Sequence, residues 1–153
     1  MREVCILNVI ESILEEEFFD ALRTKKQLGY FVSASSRNTR GLPGILFTIE
    51  SSTHTPKDLQ DRIETFIKDF YENTLTEEIY DKYLAGLIIK KSLPFKDIYQ
   101  ESSHLIAGLK DYYLEKGQNV LWHRRSREKQ ILQTEMSFSL IKETYLNLLI
   151  DKP

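Results

Sequence analysis

The sequence predicts an α+β domain in which a β-hairpin, the remnant of a larger antiparallel-rich sheet, is packed by several helices. Two observations lead to this fold class. Two short apolar runs flank a loop rich in turn residues within the first third of the chain. Every other apolar pattern along the 153 residues has the spacing of a helix face, and no linker divides the chain. We therefore expect residues 1–153 to form a single domain.

The first element is expected to be an amphipathic helix over residues ~4–22, because its apolar side chains recur at helical spacing. Those side chains are Ile6, Ile10, Ile13, Leu14 and Phe18. Cys5 lies in this stripe and is predicted to be a buried, inert thiol. The acidic run Glu15–Glu17 is expected on the solvent side. Gly29 is the expected helix exit, since glycine readily adopts the left-handed conformation that ends many helices.

A β-hairpin is predicted next, with strands at Tyr30–Ser35 and Ile45–Glu50 and turn residues in Arg37–Gly44 between them. The unbroken apolar run Ile45–Ile49 predicts a strand covered on both faces. Two strands alone make a marginal sheet. We therefore expect that strands before residue 1 complete it, so that the domain is truncated at its N-terminus. The exposed hairpin edge is expected to pair with another copy in a non-native homodimer.

The rest of the chain is predicted to be helical. Thr55 starts one helix as a hydroxyl N-cap followed by proline, and Thr76 starts the next, which Pro94 ends. Three further helices are expected: one that contains Phe95 and stops near Gly117, a short one around residues 119–132, and a last one with Phe138, Ile141, Tyr145 and Leu148.

Composition and charge exclude several classes of function. The formal net charge is −2, whereas a general nucleic-acid-binding domain is usually strongly basic. No apolar stretch approaches the roughly 18–20 residues that span a bilayer, so neither nucleic acid nor a membrane is expected as a partner. The apolar run Val4–Ile10 lacks the basic lead and cleavage site of a signal peptide. Because a single cysteine also suits a reducing compartment, we expect a cytoplasmic location.

Few residues carry obvious chemistry. The histidines His54, His104 and His123 are too widely separated for a zinc motif, so no metal site is expected in this chain. Nucleophile and phosphate-binding motifs are also missing from the sequence. The basic cluster His123–Lys129 either attracts acidic peptide, polyphosphate or nucleic acid, or is a solvated helix face balanced by Glu128 and nearby acids. The second interpretation is favoured.

The most informative stretch is Leu22–Val32, where the first helix passes through a cationic turn into a strand. It places Arg23 and Tyr30 at one junction, where a permanent cation and a hydrogen-bond donor could face the same external target. A structural interpretation stays open on the residues alone. A tyrosine at the head of a strand is often a packing residue, and an arginine at a helix end often interacts with the helix dipole.

This stretch resembles the segment L-R-T-K-x-Q-L-G-Y in the C-terminal domain of the insulin-degrading enzyme family, the inverzincin zinc peptidases related to pitrilysin. A second pattern, G-x-x-G-x-x-F-x-I from Gly41 to Ile49, adds to the resemblance, as does the helix pair between Asp58 and Leu87. The resemblance as a whole covers roughly residues 6–150, although beyond residue 92 it consists only of a helical pattern. The resemblance implies the α/β roll of that family, with its first strands missing here.

The resemblance also implies a function. In the family, zinc is bound by an H-x-x-E-H motif and a further glutamate in the N-terminal half, and the C-terminal half closes over the peptide. By this resemblance Arg23 would hold the substrate main chain, and Tyr30 would donate a hydrogen bond to the developing oxyanion or an adjacent carbonyl. Both would be auxiliary catalytic residues.

The chain itself would bind no cofactor and be inactive alone, with the N-terminal catalytic half and a peptide substrate as its partners. The alternative is a non-catalytic scaffold or interaction module, degenerate from the same family.

Overall fold

The computed structural model describes residues 1–39, 42–114 and 124–151, and its architecture confirms the α+β prediction. The described elements follow one another as α1 (Arg2–Phe19), a π-helical turn (Asp20–Lys25), β1 (Phe31–Thr39), β2 (Leu42–Glu50), α2 (Pro56–Asp69), a second π-helical turn (Phe70–Thr74), α3 (Glu77–Ser92), α4 (Ile98–Leu114), α5 (Arg124–Thr134), α6 (Phe138–Tyr145) and a third π-helical turn (Leu146–Ile150). The two strands pair antiparallel and form the described sheet.

Helix α1 lies at the centre of the core and contacts both strands as well as α3, α5 and α6. The predicted apolar stripe is confirmed, because all five of its predicted members are buried. The Phe18 ring lies 5.1 Å from that of Phe47 on β2 and 5.2 Å from that of Phe66 on α2. Cys5 is 0% exposed, as predicted, and burial is the main cause that raises the pKa of its thiol to about 11. The thiol is therefore un-ionised near neutral pH.

The hairpin is longer than predicted, because both strands run into the region expected to be its loop; residues 40–41 lie outside the described part of the chain. Val32 pairs with Ile49 and Ala34 with Phe47, and this face packs against the core. The expectation that β2 is covered on both faces is wrong for the described residues. Side chains alternate along a strand, so Leu46 points to the opposite face, where it is 40% exposed.

The predicted starts of α2 and α3 are confirmed. The Thr55 side chain accepts a hydrogen bond from the Asp58 amide (3.3 Å), and the Thr76 side chain accepts one from the Ile79 amide (3.4 Å). Helix α3 ends at Ser92, just before the proline that was expected to break it.

The later helices differ from the prediction in detail. Helix α4 begins at Ile98 and therefore excludes Phe95, and Ile98 and Tyr99 are 78% and 80% exposed rather than packed on the core. The predicted end near Gly117 and the start of the next helix lie outside the described residues. Helix α5 ends at Thr134, beyond the predicted boundary, while α6 lies where it was expected.

A buried ion cluster fastens α5 to α3. The Glu128 carboxylate is 2% exposed, and its oxygens lie 2.5 Å from Lys91 Nζ and 2.8 Å from Arg124 Nε. Burial disfavours the charge of Glu128, but the two cations outweigh burial and lower its pKa below the usual value. The Cys5 thiol lies 4.0 Å from the Glu128 carbonyl oxygen, so the cluster adjoins the central helix.

The predicted solvated basic face is wrong for Arg125. Its guanidinium donates to the carbonyl oxygens of Lys90 and Lys91, both at 2.9 Å, and to that of Leu93. It also lies over the Phe95 ring, 4.3 Å from the centroid. The last carbonyls of α3 have no partner within the helix, so a cation from α5 satisfies them. His123, at the start of the predicted cluster, lies outside the described residues.

Two other features concern partners. Among the helices of the described ranges, none is long and apolar enough to cross a bilayer. The exposed edges of the hairpin fit the expected pairing with a second copy, which stays a prediction.

Candidate functional site

The junction between α1 and β1 is built on a left-handed residue that the sequence did not indicate. The first π-helical turn closes when the Lys26 amide donates to the Ala21 carbonyl oxygen at 3.2 Å. Gln27 then takes a φ of 51°, and the Leu28 amide returns to the Leu22 carbonyl oxygen at 3.0 Å. The prediction of Gly29 as the helix exit is therefore wrong. Glutamine is a poor predictor of the left-handed conformation, which costs a residue with a Cβ about 1–2 kcal/mol.

Gly29 has a different role, which is to let two backbones approach. A Cβ at this position would lie 2.2 Å from the Glu50 carbonyl oxygen, well inside any ordinary contact. The next amide, that of Tyr30, donates to the same oxygen at 3.0 Å. The end of β2 is thereby fixed directly beside the start of β1.

The residues of this junction divide into two groups. Leu22 and Leu28 are 0% and 2% exposed and anchor the turn in the core. Arg23 is half-buried and Tyr30 is 69% exposed, so both candidate side chains stay accessible to solvent. Within the described ranges Arg23 makes no hydrogen bond or ion pair, which leaves its guanidinium available to a ligand. No hydrogen bond joins Arg23 to Tyr30 there.

Tyr30 has a partner that the sequence analysis did not identify. Its hydroxyl donates to the carboxylate of Glu50, the last residue of β2. That hydrogen bond, and then the negative charge, raise the pKa of the Tyr30 phenol above its usual value. The phenol therefore stays protonated near neutral pH and can act only as a proton-bearing donor. The signal that could have found Glu50 is the hairpin register, which pairs it with Phe31.

A cleft of about 1130 Å³ opens beside this pair. Its wall is more apolar than polar, and its apolar side chains come from β2, α2 and the third π-helical turn: Ile45, Phe47, Ile49, Leu59, Ile63 and Leu149. Tyr30, Glu50 and His54 add polar groups to the lining. A mainly apolar cleft that also presents polar groups is a common form of ligand site.

His54 lies in the loop that leads into α2, where its role is local. Its Nδ1 is 3.0 Å from Thr53 Oγ1 and 3.2 Å from Ser51 Oγ, and its Nε2 is 4.0 Å from the Asp58 carboxylate. The Ser51 oxygen also accepts the amides of Thr53 and His54, both at 3.3 Å. Asp58 is in turn bound to Arg62 Nε at 3.1 Å. These bonds shape a turn, and they leave Ser51 poorly placed as a nucleophile.

Metal chemistry finds no support in the described part of the chain. No group of three or more His, Cys, Asp or Glu side chains is gathered there so that it could hold an ion. His104 packs against the Phe95 ring, 5.3 Å between centroids, and burial is the main cause that lowers its pKa. The described residues therefore offer no ligand set for zinc, which the family resemblance places in the N-terminal half of the protein. What the junction offers is hydrogen bonding and charge beside an apolar cleft.

Comparison with known proteins gives a consistent result. The domain family described as PQQ synthase PqqF-like, C-terminal lobe domain 4, matches residues 9–106. The chain is 37% identical to Nardilysin-like from Arabidopsis thaliana over 91 residues, which are 58% of this chain and 9% of that protein. It is 30% identical to Insulin-degrading enzyme from Drosophila melanogaster over 115 residues, which are 72% of this chain and 12% of that protein.

Two further matches agree. The chain is 34% identical to A-factor-processing enzyme from Saccharomyces cerevisiae over 121 residues, 78% of this chain and 11% of that protein. The solved structure titled Crystal Structure of pitrilysin superposes with a TM-score of 0.77 over 97% of this chain and 15% of that one. At 15% identity, this likeness shows the fold alone. The chain thus spans only 9–12% of the length of these curated relatives.

Proposed function

The chain belongs to the insulinase family of zinc metallopeptidases, in the part described as C-terminal lobe domain 4, and from this premise we propose that it forms one wall of the closed chamber of a zinc metalloendopeptidase. Its partners are then the N-terminal catalytic half of the same protein and a peptide substrate. Zinc would be held by that half, where the family resemblance places the H-x-x-E-H motif. The chain has no peptidase activity alone, and its compartment is the cytoplasm.

The accessible face of the α1–β1 junction is the observation that carries this proposal. The buried leucines and Gly29 fix the backbone, while Arg23 and Tyr30 are left to contact a ligand. A fixed backbone limits the positions that these two side chains can reach, which is one part of the preorganisation that a transition-state contact needs. A purely structural role does not account for Arg23, which has no hydrogen bond or ion pair within the described ranges.

The two side chains suit different parts of a peptide. The Tyr30 phenol is held in its protonated form, so it can donate to the carbonyl oxygen as negative charge develops there. The guanidinium of Arg23 stays charged at any relevant pH and presents several donors in one plane, which fits the carbonyl oxygens of an extended main chain. Neither group can attack a peptide bond, so both roles are auxiliary.

The test is cleavage of a fluorogenic peptide by the full-length protein that contains this chain, with and without a zinc chelator. Tyr30→Phe is expected to lower kcat by about 10²–10³, the usual cost of losing one oxyanion donor. Arg23→Ala is expected to raise KM about tenfold or more, since a hydrogen bond from a charged group is worth about 1.5–3 kcal/mol. Tyr99→Phe and Arg127→Ala, which change exposed residues of other helices, serve as matched controls and are expected to retain activity.

Each outcome decides a different part of the proposal. Chelator-sensitive cleavage that neither Tyr30→Phe nor Arg23→Ala changes would keep the peptidase and overturn the assignment of its auxiliary residues. A full-length protein that is folded but inactive would overturn the proposal of a peptidase and favour the non-catalytic scaffold.

A further inference from the structure

Among the described residues, the hydrogen-bond partner of the Tyr30 hydroxyl is Glu50. With 69% of its surface exposed, the ring lacks the packing that fixes a buried tyrosine. Its hydroxyl is bonded to Glu50, and the two residues are also joined through the main chain, where the Tyr30 amide donates to the Glu50 carbonyl oxygen at 3.0 Å. The strand pairing thus fixes the main chain of Glu50 beside Tyr30, and the carboxylate is within hydrogen-bonding reach of the phenol.

The hydrogen bond between Tyr30 and Glu50 can be exchanged for others because of where Glu50 lies. Glu50 is exposed, and it lines the same cleft as Tyr30. A phenol carries a single proton, so a hydroxyl that donates to Glu50 cannot donate to a substrate at the same time. Rotation about the bond between the ring and the hydroxyl oxygen redirects the proton without movement of the ring. Water then replaces the Tyr30 hydroxyl as the donor to the exposed Glu50 carboxylate. A water-mediated bond is nearly as favourable as a direct one.

From this geometry we infer that Glu50 is a positioning residue, which holds the hydroxyl of Tyr30 ready beside the cleft and releases its proton to the substrate. This inference rests on the proposed function, because it assumes that the Tyr30 hydroxyl meets a substrate oxygen. It assigns a role to a residue outside the junction segment, contributed by the other strand of the hairpin. Glu50 itself touches no reacting atom.

The first test measures the contact without any enzymatic activity. The phenol of Tyr30 is titrated by NMR in the chain labelled at tyrosine Cζ, in the wild type and in Glu50→Gln. Loss of the negative charge is expected to lower the pKa of Tyr30, because that charge and hydrogen bond raise it in the wild type. Tyr83, which donates to Glu16 and Glu17, is the internal control, and its Cζ resonance should be the same in the two proteins. An unchanged Tyr30 titration would overturn the inference whatever the activity of the protein.

The second test measures its effect on cleavage in the full-length protein. Glu50→Ala is expected to lower kcat about tenfold with KM little changed, since a loosened hydroxyl is less often in its reactive position. Glu50→Gln, whose amide oxygen still accepts the hydrogen bond, is expected to recover most of that loss. Glu50→Ala combined with Tyr30→Phe should be no slower than Tyr30→Phe alone, because both changes act through one hydroxyl.

The outcomes separate this inference from the proposed function. If Tyr30→Phe leaves cleavage unchanged, the assigned catalytic role of Tyr30 fails, while the titration still reports whether Glu50 holds the phenol. If Tyr30→Phe slows cleavage but Glu50→Ala leaves kcat unchanged, the catalytic role of Tyr30 stands and the positioning role of Glu50 is wrong. An additive loss in the double variant would also overturn it, because Glu50 would then act independently of Tyr30.

Discussion

Glu128 and Glu50 are two carboxylates that each join separate parts of the chain, one in the interior and one at the surface. Glu128 is 2% exposed and is bonded to Lys91 and Arg124, whereas Glu50 lies in solvent and accepts the hydroxyl of Tyr30. A partner removed from a buried ion leaves a charge that water cannot reach, but at the surface water replaces the lost bond. The same functional group therefore stabilises the fold in one place and remains free to exchange partners in the other.

The largest effect on stability is expected when the buried carboxylate, Glu128, is removed. Glu128→Ala should lower the free energy of unfolding by about 3–5 kcal/mol, because two mostly buried cations, with side chains 22% and 14% exposed, lose their partner. Urea denaturation measures the change. The matched control is Glu135→Ala, which removes a half-exposed partner of Arg2 at 3.5 Å and should cost less than about 1 kcal/mol. A loss for Glu128→Ala as small as that of the control would mean that water reaches the cluster.

A smaller effect on stability is expected at Gly29, where the backbone lies against that of the exposed carboxylate, Glu50. Gly29→Ala should lower the free energy of unfolding by about 1–3 kcal/mol, because the new methyl would meet the Glu50 carbonyl oxygen at 2.2 Å. Gly86→Ala, in α3 with nothing within 4 Å of its added Cβ, should instead stabilise by about 0.5–1 kcal/mol. Thermal unfolding compares the two. If Gly29→Ala were neutral, the hairpin end would be able to separate, and the position of Glu50 beside Tyr30 would not be fixed.

The pH dependence of stability provides a further test of the buried carboxylate, Glu128. The folded pKa of Glu128 is below its usual value of 4.5, so its contribution is fully present above that value and is lost as the pH falls through the lower folded pKa. The difference in unfolding free energy between the wild type and Glu128→Gln should therefore shrink between about pH 6 and pH 3. The control is the double variant Lys91→Met with Glu128→Leu, which has no carboxyl group at position 128 to titrate. A difference that stays constant over this range would contradict the depressed pKa.

The smallest effect is expected for the exposed hydroxyl. Tyr30→Phe should change the free energy of unfolding by less than about 0.5 kcal/mol, because water solvates both bonding partners. Tyr145→Phe is the buried counterpart: this hydroxyl donates to the Ile67 carbonyl oxygen at 3.2 Å, and its loss should cost about 0.5–1.5 kcal/mol. Chemical denaturation measures both. If Tyr30→Phe were the more costly variant, Tyr30 would have to be regarded as a structural residue.

The sequence predicted those parts of the fold that depend on neighbours along the chain. The stripe of α1 and the caps at Thr55 and Thr76 are local patterns, and the structure has them as expected. The coverage of β2 was misjudged because it depends on which elements lie beyond the sheet. Gln27 was missed because its left-handed conformation follows from how Leu22 and Leu28 are anchored in the core, which has no local signal.

The candidate site was predictable only in part. Arg23 and Tyr30 were identified from a family resemblance, and the structure leaves both accessible to solvent. Glu50 could not be identified, since its contact with Tyr30 depends on the register of two strands. The same limit applies to Arg125, whose basic neighbours along the chain suggested a solvated face. Its actual partners are carbonyl groups of α3, which only the packing of α3 and α5 brings within reach.

The central position of α1 has a consequence for the order of events during protein synthesis. This helix leaves the ribosome before every other described element, yet it packs against α5 and α6, the last two described α-helices to be made. The contact between Cys5 and Glu128 spans 123 positions of the chain. Contacts of such long range form late and slow folding. Among the described elements, the apolar stripe of α1 is therefore the first to be made and among the last to be covered, so its burial depends on the synthesis of α5 and α6.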